Sequence, residues 1–543
     1  MKFALLIFVC LFGCQRAEHK QTVSAFEFTE VETAISPTVC GKGDPTQILE
    51  VNGTGLGLFD YDNDGDLDLF VANAAARDDI KSEASCRMYE NKSTKDKIVF
   101  VDSTAKTGID IHNWANGIAI GDVNNNGYED LYITCYGANV LLQNKGDGTF
   151  RDITQKAGVG DERWGTSAAF GDLDNDGDLD LYVCNYLEFD VNDPPQRAKY
   201  KGVSVLGGPH GLTPERDVVF MNNGDGTFQD VTQEWGMHSQ DSFSLNVVIL
   251  DINGDGWQDV YVGNDSMANN LYLNQGKEET AFKDIALHTG AAANGDGSMQ
   301  ATMGIAVADV DGNGTPDFLT TNFSSDTNTL HVNDGTYFED RTNLYGFGLL
   351  SRSLLGWSCG FHDFDLDGDE DLLVVNGHVY PEATAATMDS EREQPMLWMS
   401  RDGDRFEKVN STLDEENYRD RAAVFGDLDG DGDTDVIVGE RSGPVRVLRN
   451  DSQARRPLVV HLEGQAMGTT LKITLDDGTV VTRWKHSGGG FQSSASTDPI
   501  FTFPSGRFPT KMEVAWGNGD RQLIDAVPIQ GDFSVTQFDL GSN

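Results

Sequence analysis

Apolar residues along this chain fall in short runs that alternate with polar ones, each run closed by a cluster of Gly, Asp and Asn. Alternation of period two predicts half-buried β-strands, and the Gly-rich clusters predict turns. Runs such as LDLFV and LYITC sit directly behind dense acidic clusters. The 60 glycines point the same way, toward many turns rather than long helices.

The acidic clusters repeat. Aligned on their first Asp they read DYDNDGDLD from Asp60, DVNNNGYED from Asp122, DLDNDGDLD from Asp172, DINGDGWQD from Asp251, DVDGNGTPD from Asp309, DFDLDGDED from Asp363 and DLDGDGDTD from Asp427. All seven fit D-x-[DN]-x-[DN]-G-x-x-D, and their first aspartates lie 50 to 79 residues apart. Oxygens at positions 1, 3 and 5 of a tight loop converge, Gly at position 6 permits the turn, and position 9 adds a carboxylate. So many carboxylates repel one another unless a cation sits among them, and hard oxygen donors in a flexible loop suit Ca²⁺. Up to seven Ca²⁺ ions are expected. Their ligands would be Asp60, Asp62, Asp64 and Asp68; Asp122, Asn124, Asn126 and Asp130; Asp172, Asp174, Asp176 and Asp180; Asp251, Asn253, Asp255 and Asp259; Asp309, Asp311, Asn313 and Asp317; Asp363, Asp365, Asp367 and Asp371; and Asp427, Asp429, Asp431 and Asp435. An EF-hand is excluded, because position 12 is never Glu and lies within a strand-like run.

Around each loop the rest of the repeat is also regular. A small apolar strand precedes it; a second strand, a third ending in Asn, a Gly-rich turn and an F-x-D-x-T strand follow, as in VLLQNKGDGTFRDIT from Val140. Four strands in each of seven repeats predict an all-β, seven-bladed β-propeller. The seventh repeat lacks its last strand, and AFEFTEVET, residues 25–33, stands ahead of the first. The N-terminal strand is therefore expected to complete the last blade and close the ring. Acidic loops and Gly-rich turns should share one face. The long insertions, at 74–85, at 186–217 and from Gly377, should share the other, which is the expected ligand face. The propeller would span 26–452. Residues 457–541 read as a small C-terminal β-sandwich-like domain, with Arg483, Lys485 and His486 on one polar strand edge.

A net charge of −47 repels nucleic acid and anionic membranes and favours cations or basic partners. Residues 1–14, MKFALLIFVCLFGC, have the shape of a secretory signal, and Leu11-Phe12-Gly13-Cys14 resembles the bacterial lipobox, which implies lipidation at Cys14. Residues 15–25 would be a linker. The chain is thus expected to be exported, as an outer-membrane, periplasmic or cell-surface lipoprotein or a secreted protein, touching membrane only through an N-terminal lipid, and to be a monomer. Of seven cysteines, Cys10 and Cys14 lie in the leader. Among the other five, Cys40 and Cys86 form the disulfide to test first, since both lie in loops around the first repeat.

The acidic loops resemble the FG-GAP/VCBS calcium repeats of integrin α-chain propellers. MGIAVADVDGNGTPDFLTTNF from Met303, GWSCGFHDFDLDGDEDLLVVNGHVYP from Gly356 and the recurring NGDGTFxDVT resemble the cartilage acidic protein/ASPIC-UnbV group more closely. The C-terminal GGGFQS from Gly488 and EVAWGNGD from Glu513 fit that group's last domain in outline. The resemblance implies a binding role without naming a ligand. The chain departs from the group in carrying LGGP from Leu206 where a Cys-containing element is common, which suggests a looser insertion, and FTFPSG from Phe501 where a GLG-type turn is usual.

No H-E-x-x-H or P-loop occurs, and no catalytic residue stands out. Arg197, Lys199, Tyr200, Lys201 and His210 in the long insertion, and His378, form the candidate ligand face. Two functions remain: a binding or adhesion module for a protein or glycan at the cell envelope, or a polysaccharide lyase or hydrolase with its site among the insertion loops.

Overall fold

The computed structural model describes residues 27–41, 43–74, 85–238, 242–276, 282–384, 389–401, 403, 405–414, 416–452 and 456–537. The expected signal segment, Cys14 and the linker lie outside them.

Among the described residues, seven antiparallel sheets share one strand order. The second shows it: Trp114–Gly121, Asp130–Tyr136, Val140–Asn144 and Phe150–Asp152, each paired with the next. In the last sheet, Asp420–Gly426, Asp435–Glu440 and Val445–Asn450 take Phe28–Val31 as their fourth strand, Phe28 opposite Asn450. Closure by the N-terminal strand is therefore observed. Apolar clusters fill the gaps between neighbouring sheets, and one joins Leu56, Leu58 and Val71 of the first to Val424, Ile437 and Val447 of the last, so the ring is a closed β-propeller that leaves only short outer-strand edges.

The F-x-D-x-T pattern has a local cause. In the second blade Asp152 accepts the Thr154 N–H at 2.9 Å, and the Thr154 hydroxyl accepts the Leu141 N–H at 2.8 Å. The outer strand is thereby tied off where ladder bonds end.

Residues 456–537 form two sheets over a core of Leu458, Leu471, Ile473, Phe501, Met512, Val514 and Trp516. This unit lies on the acidic-loop face, and its segment 487–495 enters the propeller channel. Ser487–Gly488 pairs antiparallel with the inner strand of blade four, and Ser494–Ala495 pairs parallel with that of blade one. Between them Phe491 is fully buried, its ring 4.6 Å from that of Trp357. The approach is backbone on backbone: a Cβ at Gly55 would stand 1.6 Å from the Gln492 carbonyl oxygen. Glycine is required there because no side chain fits.

The five cysteines among the described residues are buried free thiols. The expected Cys40–Cys86 bridge is not made: Cys40 Sγ faces the Leu49 carbonyl, while Cys86 packs in the core between blades one and two. Loops adjacent in sequence here lead to different cores. Among the described residues no helix is long and apolar enough to cross a membrane.

Candidate metal centres and ligand faces

Each acidic loop is built alike. Position 1 accepts backbone N–H groups from across the turn, as Asp60 does from Asp64 at 3.1 Å and Gly65 at 2.9 Å. Position 4 adopts φ between +52° and +77° in all seven loops, occupied by Asn63, Asn125, Asn175, Gly254, Gly312, Leu366 and Gly430. Asn and Gly tolerate that conformation, and Leu366 is the exception. Position 5 accepts the N–H of position 7, as Asp64 does from Asp66 and Asp176 from Asp178. Position 9 accepts two more, one from position 2 and one from the end of the third strand: for Asp130, Val123 at 3.1 Å and Asn144 at 2.7 Å.

These bonds leave oxygens of positions 1, 3 and 9 facing one another. Asp60, Asp62 and Asp68 bring carboxylate oxygens within 4.8 Å, as do Asp172, Asp174 and Asp180; Asp309, Asp311 and Asp317; and Asp363, Asp365 and Asp371. Asp62 and Asp64 also meet Glu90, a third-strand residue outside the motif. Burial pushes Asp68, Asp130, Asp317 and Asp363 up to about 8, and neighbouring carboxylates add to the rise. Buried oxygens with no hydrogen-bond partner remain on Asp62, Asp309, Asp365 and Asp429. A buried, unpaired carboxylate oxygen is costly, and a hard cation would satisfy it. In the loops at Asp60, Asp172, Asp309 and Asp363, positions 1, 3 and 9 therefore fit a divalent cation, which would neutralise the cluster and fix the turn.

The Asn that ends the third strand has a role that the sequence pattern does not display. Asn144 Nδ2 donates to the Tyr61 carbonyl of the preceding blade at 2.8 Å, and Asn222, Asn274, Asn333 and Asn450 repeat the link. Asn91 donates to Leu428 and ties the first blade to the last. Blade six has Ser400 there, which keeps the N–H bond to Asp371 but not the amide link. Asn144→Ala is expected to cost about 1–3 kcal/mol in chemical denaturation, since it leaves the Tyr61 carbonyl buried without a donor; an unchanged midpoint would show that the link carries no stability.

The C-terminal unit rests on these loops. Lys472 Nζ donates to the Gly314 carbonyl at 2.9 Å and Arg521 to that of Gly254 at 3.2 Å, while the Thr502 hydroxyl donates to Asp363 and Ser496 to Glu129. Arg483 pairs with Glu370 at 3.3 Å, Lys485 with Asp498 at 3.4 Å, and His486 is half-buried. The expected solvated strand edge thus faces the propeller, across a cavity of about 890 Å³. There His461 Nδ1 lies 2.6 Å from Asp498, and that hydrogen bond raises the His461 pKa. By NMR, His461 is expected to titrate above 6.5 and to fall on Asp498→Asn; no change would refute the pairing.

On the opposite face the insertion at 186–217 and the one from Gly377 fold onto one another, while residues 75–84 of the first insertion lie outside the described residues. Arg197 pairs with Glu382, and Lys201 Nζ lies 2.9 Å from Asp389. The Tyr200 ring stands 5.3 Å from His378 and 5.3 Å from Tyr380. The insertion is latched, not loose. His378 is 1 % exposed; its Nδ1 accepts the Tyr380 N–H, and burial lowers its pKa to about 4, which keeps it a neutral packing residue. Lys199 and His210 remain exposed.

Fold and loops together define a closed propeller of acidic-loop repeats capped by a β-sandwich-like unit. The family model for the FG-GAP-like repeat matches residues 60–133, 122–183, 205–262, 251–320 and 309–374, and that for ASPIC and UnbV matches residues 461–540. The chain belongs to the FG-GAP-like repeat proteins and carries an ASPIC and UnbV domain at its C-terminal end. No curated protein matches it. Among solved structures, it is similar to an Agrocybe aegerita lectin that recognises non-reducing terminal N-acetylglucosamine, at 14% identity over 77% of this chain and 87% of that one, with a TM-score of 0.38. It is similar also to BBS1N in complex with ARL6DN, at 8% identity over 80% and 99%, with a TM-score of 0.40, and to the N-terminal domain of Nup159, at 9% over 79% and 96%, with a TM-score of 0.35.

Proposed function

We propose that this chain is an exported, calcium-loaded scaffold that binds a protein or glycan through the face carrying its insertions. The observation that carries the calcium reading is the set of buried carboxylate oxygens on Asp62, Asp309, Asp365 and Asp429 that no protein donor satisfies. The ligand face is supported by the architecture: the C-terminal unit covers the acidic-loop face, which leaves the latched insertions as the surface turned outward. Export rests on the N-terminal segment and its Cys14. Arg197, Tyr200 and His378 serve to shape this face, and the exposed Lys199 and His210 are available to a ligand.

A glycan and protein array probed with the mature chain in calcium tests the reading. Binding should be lost in a Lys199→Ala/His210→Ala variant whose melting temperature is unchanged. Binding that survives in this variant would move the ligand away from the insertion face.

A further inference from the structure

The channel mouth on the insertion face holds a feature that the scaffold does not use. A cavity of about 50 Å³ lies there, with Tyr186, Phe323, Trp357, Tyr380, Asp265 and Asn52 in its wall. That is room for roughly three or four waters, or for one compact head group. Its walls are aromatic and aliphatic, and two polar groups stand among them.

The first is the Asp265 carboxylate. It accepts the Tyr186 hydroxyl at 2.6 Å and the Ser266 hydroxyl at 2.9 Å. Among the described residues no lysine or arginine forms an ion pair with it; His210 is the basic side chain whose charge acts on it. Arg421, which stacks 4.1 Å over Trp357, turns its donors to the carbonyls of Val51, Gly377 and Asp420. The second is Asn52, 5 % exposed, whose Nδ2 has no hydrogen-bond partner. A buried amide donor left open beside a carboxylate within aromatic walls is unfinished as packing. It is complete as a receptor. Aromatic faces attract a cation, a carboxylate neutralises it, and an open N–H fixes an acceptor next to it.

We propose that this cavity binds an organic cation, an alkylammonium or guanidinium group, with Asp265 pairing its charge, the rings of Tyr186 and Tyr380 beside it, and Asn52 donating to an acceptor on the same ligand. The inference rests on the reading of the insertion face as the binding face, and it names the chemistry recognised there. The cation can come from a free amine or from a Lys or Arg side chain of a partner; the chemistry is shared and the probes separate the two.

The test uses the full mature chain in calcium, followed by Trp fluorescence and calorimetry. Probes are trimethylammonium and guanidinium, tert-butanol as a neutral body of similar shape, and the Nα-acetyl methylamides of lysine and arginine. Cations should bind at one site with millimolar Kd and at least tenfold more tightly than tert-butanol, and Asp265→Asn should remove that preference while its melting curve stays in place. Tight binding of the acetylated amino acids alone assigns the site to a partner's side chain; equal binding of free cations assigns it to a small amine. Equal binding of tert-butanol, an unaffected Asp265→Asn variant, or no saturable binding of any cation overturns the proposal. Because no array ligand enters this assay, it can fail while insertion-face binding stands, and the converse also holds.

Discussion

Removing divalent cations from the folded chain is expected to lower its melting temperature by about 10 °C or more. A ligand bound only by the folded state stabilises it in proportion to the logarithm of its saturation, about 2.7 kcal/mol at one hundred times Kd. Taking a Kd of about 10 µM, the weak end of the range for calcium-sensor loops, 1 mM calcium puts each filled site at that saturation. The three loops with unsatisfied position-3 oxygens, at Asp62, Asp365 and Asp429, then contribute about 8 kcal/mol together. For a unit of this size each kcal/mol moves the midpoint by roughly 1–2 °C. Calorimetry of the dialysed protein, with and without calcium, measures the difference. Coincident curves would refute structural calcium. Asp365→Ala should remove about one site's share and leave the other sites titrating, because each loop closes on its own blade.

The loops were legible in the sequence because their function depends on spacing within nine residues, and spacing is what a sequence displays. The ring was legible for a related reason: a missing fourth strand in the last repeat and a spare one at the N-terminus leave a single economical closure, and Phe28–Val31 makes it. What stayed hidden depends on distant backbone. Asn144 reads only as the end of the third strand until its amide is seen to reach Tyr61, 83 positions away. The six Gly and Asn residues at position 4 are explained by their positive φ, which no spacing rule displays. The insertion residues misled for the opposite reason. Arg197, Tyr200 and His378 have the chemistry of a site, and only the fold shows that Glu382, Ser324 and Tyr380 already occupy them.

The plug is the clearest case of a feature without a sequence pattern, and its removal carries the other large expected effect. GGGFQS presents a single large side chain, Phe491, and otherwise offers backbone: Gly489 donates to Val247 and accepts from Ile305, and the Gln492 carbonyl accepts from Ile118. Side-chain hydroxyls complete it, with Ser358 accepting the Phe491 N–H and Ser167 that of Gln492. Segment 487–495 thereby joins blades that otherwise meet only their neighbours. Phe491→Ala empties a fully buried ring site against Trp357 and is expected to cost about 3–5 kcal/mol. Gly55→Ala sets a methyl carbon against the Gln492 carbonyl, where neither backbone can yield, and should drive the segment from the channel. The double variant distinguishes a plug from two unrelated core defects. Once Gly55→Ala has expelled the segment, Phe491 has left its site, and truncating it has little further effect; the two costs should fall well short of additive, by about 2 kcal/mol or more. Additive losses in chemical denaturation would mean that Phe491 stays buried while Gly55 is strained elsewhere, and that the C-terminal unit is not held through the channel.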